Sequence, residues 1–148
     1  MYQFNLIGAL TAQAIFFLSI LVFAARIARR ERLAYWLGIP QLLTAAAVMY
    51  LIILAPRYAR PDLYYIETGL MLFWLALKFV LVYLLRIDFR QTGWAVLYTL
   101  LFFAGTAGMV AVAGEAGVFW LVQAAAFYLI MVVLAFVQRV RAEAQRQE

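Results

Sequence analysis

The chain has 148 residues, 69% of them hydrophobic and 13% charged, with a formal net charge of +5. A soluble domain of this size has too little core to hide so much apolar surface, so the expectation is an all-α membrane protein with the bilayer as its solvent. With neither Cys nor His in the chain, disulfides, thiol redox chemistry, Cys/His zinc sites and haem ligation by His or Cys are excluded from it.

Five apolar runs follow in chain order: Tyr2–Ala25, Leu33–Ala55, Leu63–Leu85, Gly93–Gly114 and Ala116–Val137. Each exceeds the roughly 20 residues that a helix needs to span a bilayer. Helices are predicted because hydrocarbon offers exposed backbone groups no hydrogen-bond partners. The ten-residue alternation of a barrel strand is missing. The reading is one transmembrane domain over residues 1–137, a bundle of about five helices, followed by a short helical tail over 138–148. The first run is expected to stay in the mature protein. Its Met1-Tyr2-Gln3 start has no basic residue, and its apolar stretch is longer than that of an ordinary signal peptide.

The connections carry the orienting charge. Arg26, Arg29, Arg30 and Arg32 follow the first run, Arg86 and Arg90 the third, and Arg139, Arg141 and Arg146 the fifth, while only Arg57 and Arg60 lie on the other side. Nine against two predicts an N-terminus outside and a cytoplasmic C-terminus. It also explains the basic balance without a nucleic-acid surface. Pro56 is predicted to close the second helix, Arg60-Pro61-Asp62 to open the third, and Thr92 to cap the fourth. Gly114-Glu115-Ala116-Gly117 is short enough to require a tight hairpin between the last two helices. Tyr35, Trp36, Tyr83 and Trp94 near one interface, and Tyr58, Tyr64, Tyr65 and Trp120 near the other, form the usual aromatic belts. A weak likeness of Arg32–Trp36 to Arg90–Trp94, and of Val80–Arg86 to Val133–Arg139, would make helices two–three and four–five parallel hairpins.

Charge enters a span only in the third run, as Glu67 and Lys78. Eleven residues make nearly three helical turns, so both fall on one face with Met71 and Trp74. An ionisable group inside a span costs about 2.5–3.5 kcal/mol at its centre and marks a functional or subunit-contact position. The competing structural reading pairs Glu67 with Arg57 or Arg60 and lets Lys78 snorkel. Trp74 needs an acceptor for its indole N–H and lies one turn from Lys78, within cation–π reach.

Ala104, Gly105 and Gly108 are the expected helix-packing residues of the fourth run, in small-xxx-small spacings shared with Ala107 and Ala111; Gly8 and Ala12 repeat the pattern in the first. Gln13 and Gln123 are read as interhelical hydrogen-bond partners. The Pro40-Gln41 dipeptide resembles that of PQ-loop transporters, but the match ends at the dipeptide. Arg139 and Glu143 stand at i,i+4 spacing in the tail.

No catalytic, metal or cofactor-binding constellation emerges. The expectation is a non-enzymatic accessory or scaffold subunit of a larger membrane complex, in a bacterial or archaeal cytoplasmic membrane. Its partners would be the bilayer and a membrane protein or further copies of itself, with no cofactor and no nucleic acid. The alternatives are a small oligomeric transporter or channel with Lys78 and Glu67 lining the path, and a membrane sensor or signalling subunit.

Overall fold

The computed structural model describes residues 1–147, the side chain of Gln91 apart; Glu148, the last residue of the expected tail, lies outside the described residues. Five helices, the second and third taken with the short turns that prolong them, are long and apolar enough to cross a membrane, and no strand occurs among the described residues. They are α1 (Tyr2–Ile27), α2 (Glu31–Leu54), α3 (Asp62–Lys78), α4 (Gly93–Gly114) and α5 (Val118–Arg146). A 3-10 turn, Ala55–Tyr58, prolongs α2, and a π-helical turn, Phe79–Leu84, prolongs α3.

The helices pack in the cyclic order α1, α2, α3, α4, and α5 lies in the groove between α1 and α4. Where the surroundings are as apolar as the side chains, helices associate through close packing and interhelical hydrogen bonds rather than through hydrophobic burial. The closest seam, α3 against α4, shows why small residues matter. A Cβ on Gly108 would stand 2.9 Å from the Cα of Glu67, and one on Gly105 would stand 3.0 Å from the Cα of Met71. Gly8 of α1 meets α4 in the same way, its missing Cβ lying 3.0 Å from Val112. Ala104, Ala107 and Ala111 face outward instead. On a helix of 3.6 residues per turn, the row that includes Gly105 and Gly108 turns the alanine row away from α3.

Helix α1 carries the most buried positions, among them Ala9, Ala12, Ile15, Phe16 and Ser19. Helix α5 buries only Ala124 and Met131 and runs without interruption to Arg146, well into the expected tail, where Arg139 and Glu143 pair at 3.0 Å.

The turns are tight. The α1 end closes with the Arg30 amide donating to the Ala25 carbonyl at 2.8 Å around Arg29, whose φ is 58°. This is a Schellman-type stop with arginine where glycine is usual, at a cost of about 1 kcal/mol. Thr92 takes the position before α4, but its hydroxyl donates to the Phe89 carbonyl at 2.7 Å instead of accepting from the helix. The preceding 3-10 turn, Phe89–Gln91, brings that carbonyl within reach.

Candidate functional site

Two buried cations organise the polar interior, one at each end of α3. Lys78 closes α3, with only 3% of its surface exposed. Its ammonium donates to the side-chain carbonyl of Gln41 on α2. The Gln41 amide donates in turn to the Ser19 hydroxyl of α1 at 2.6 Å. A polar chain therefore crosses three helices in the half of the bundle nearer the arginine-rich turns. The ammonium also stands 5.3 Å from the centre of the Trp74 ring, one turn earlier, within cation–π range.

Local structure makes room for this chain. A side chain on Gly38 of α2 would collide with the Tyr83 hydroxyl and lie 3.3 Å from the Lys78 ammonium. Residues five apart point about 140° away from each other on an α-helix, so Lys78 and Tyr83 would not both reach Gly38. The π-helical turn that begins directly after Lys78 holds more residues per turn and brings them nearly into line. Tyr83 then donates to the Tyr35 carbonyl of α2 at 2.7 Å.

Not every donor here is satisfied. Trp74 is 2% exposed, packs on Phe102 at 4.8 Å and Tyr98 at 5.5 Å, and among the described residues has no hydrogen-bond partner for its indole N–H. The ammonium carries three protons, and among the described residues Gln41 is its one side-chain acceptor. Gln13 and Gln123 also differ from expectation. Both amide heavy atoms of Gln13 and the amide oxygen of Gln123 are buried without a hydrogen-bond partner, so neither residue forms the expected interhelical bond through those atoms.

Arg60 precedes α3 at the opposite end. Its side chain is 4% exposed and meets Glu115 of the α4–α5 turn at 2.7 Å. It also donates to the Asn5 side chain of α1, whose amide donates to the Glu115 backbone carbonyl at 2.8 Å. The rings of Phe4 and Tyr64 flank the guanidinium, each at 5.3 Å. This clasp joins α1, the α2–α3 turn and the α4–α5 turn.

Glu67, expected to pair with Arg57 or Arg60, forms no ion pair among the described residues. Its backbone is pressed against Gly108, and Arg60 is already taken by Glu115. Glu67, Trp74 and Lys78 thus share α3 without forming one site. Glu67 lies on the α4 seam, and only Trp74 and Lys78 come together. The partners that sequence reasoning did not assign are Gln41, Ser19 and Gly38. For Gln41 and Ser19 the one signal is that amides and hydroxyls are so few within the spans; Gly38 carries none.

No protein-family model, no curated protein and no solved structure matches the chain.

Proposed function

We propose that the chain is a non-enzymatic integral membrane protein, an accessory or scaffold subunit of a larger assembly, with its N-terminus outside and its C-terminus in the cytoplasm. The observation that carries this reading is how the interior polar groups are used. Lys78 is held by Gln41, Gln41 by Ser19, and Arg60 by Glu115 and Asn5, so the groups able to do chemistry tie helices to one another. The surface offered to a neighbour is apolar. Phe119, Val122, Leu129, Val133 and Phe136 of α5 are all exposed. With the exposed Ala126 they recur at alternating three- and four-residue steps, the spacing by which one helix seats another.

Purification from native membranes in mild detergent tests this reading. A foreign membrane subunit should co-purify in fixed stoichiometry and be lost when Ala126→Trp and Leu129→Ala disrupt the α5 stripe. A chain that purifies alone from native membranes, with the stripe variants behaving as wild type, contradicts it. The transport alternative is favoured by one observation, the unpartnered indole N–H of Trp74 beside an ammonium with protons to spare. On that reading a homo-oligomer would carry an anion past Lys78.

A further inference from the structure

The arginine-rich end of the bundle is built differently from its clasped opposite. Three helices and a turn leave a cleft there of about 490 Å³, between the end of α1, the start of α2, the turn before α4 and the extension of α5. Arg26, Arg29, Arg90 and Arg141 line it, against the single carboxylate of Glu31, and the amide of Gln138 adds a neutral donor. The arginines are only lightly engaged. Arg90 reaches Glu31 at 3.4 Å, with both side chains about half exposed. Arg141 reaches the Ile27 carbonyl at 3.4 Å, which holds the α5 extension over the α1 end. Among the described residues the buried Nε of Arg26 has no hydrogen-bond partner.

Orienting charge explains why arginines follow a membrane span, but it does not require them to converge on one concavity. A guanidinium presents a planar fork of donors that matches the oxygens of a phosphate. Basic pockets between helix ends at the cytoplasmic face of a membrane take up phospholipid headgroups in this way.

We propose that this cleft binds a phosphate group, supplied either by the headgroup of an anionic phospholipid or by a soluble phosphate. Arg29 and Arg141 grip it from opposite walls, Arg26 meets it from the floor, and Arg90 exchanges its long contact with Glu31 for the phosphate oxygens. Because Arg141 belongs to the α5 extension, occupancy also fixes that extension against α1.

The test uses the full chain in detergent and follows bound lipid by native mass spectrometry. Phosphatidylglycerol should be retained in preference to phosphatidylcholine. Affinity for it should fall about fivefold in Arg29→Gln or Arg141→Gln and about 25-fold in the double variant. Arg57→Gln, at the opposite end, should change nothing. Displacement of the lipid by excess inorganic phosphate, but not by chloride at equal ionic strength, identifies a site open to soluble phosphate. Resistance to inorganic phosphate with the lipid preference intact identifies a headgroup site. Should the double variant fail to fold, the wild-type lipid preference and the phosphate competition decide alone. Equal retention of the two lipids with no phosphate binding overturns the proposal, and so does undiminished phosphatidylglycerol binding by a folded double variant.

Discussion

Arg60 and Lys78 are both buried cations, yet they are held by unlike means. Arg60 lies near a helix end, with a carboxylate, an amide and two aromatic faces around it. Lys78 has one amide oxygen and one aromatic face, and no ion pair among the described residues. Sealing a cation with a carboxylate works best near the surface, where the carboxylate partly keeps its water; Glu115 is 43% exposed there. Deep in a bundle, a second charge would add its own desolvation cost. A neutral amide that is itself held by a hydroxyl supports the ammonium without it. Arg60 thus ties together the turns at one end of the bundle, and Lys78 and Gln41 link α3, α2 and α1 nearer the other.

Displacing α3, on which both cations depend, should have the largest effect. Gly108→Leu puts a side chain where a Cβ alone already meets the Glu67 backbone. The two helices must separate, at a cost of about 3 kcal/mol or more. Because the neighbour is α3 of the same chain, unfolding of the isolated protein in detergent should report the loss, with Ala107→Leu on the outward face as the silent control.

Removing the support of Lys78 comes next. Gln41→Leu leaves a buried ammonium without its side-chain acceptor and should destabilise by about 3 kcal/mol. Lys78→Met removes the charge itself, keeps most of the volume, and should stay within about 1 kcal/mol of wild type. The double variant should resemble Lys78→Met alone. Additive losses in this cycle would show that the two side chains do not act as a pair.

The clasp should respond more weakly. Arg60→Ala removes the shared partner of Asn5 and Glu115 and should lower stability by about 2 kcal/mol. Glu115→Gln keeps a hydrogen-bond acceptor in a half-exposed position and should cost less than about 1 kcal/mol. Thermal unfolding of both variants separates a clasp centred on Arg60 from an ordinary surface ion pair, for which both changes would be small.

The helices were legible in the sequence because each apolar run is long and nearly free of charge. The glycines of α4 were legible as a packing surface, but their spacing did not name a partner, and Ala104 was grouped with them because small-xxx-small steps fit two rows of one helix. The partners of Lys78 were hidden for a physical reason. Gln41 lies 37 residues away on another helix, and an amide beside a proline carries no periodic signal. The π-helical turn that aligns Tyr83 with Lys78 was hidden too, since its residues read as an ordinary continuation of the third helix. Proximity along the chain offers Glu67 either Arg57 or Arg60, whereas the fold brings Glu115 to the Arg60 guanidinium from 55 residues away.

If Lys78 belongs to a closed structural interior rather than to a pathway, vesicles reconstituted with wild type, Lys78→Met or Lys78→Glu, each first shown to be folded, should show no protein-dependent anion or cation flux. A flux in the wild type whose charge preference reverses in a folded Lys78→Glu variant would contradict it and establish the ammonium as part of a conduit.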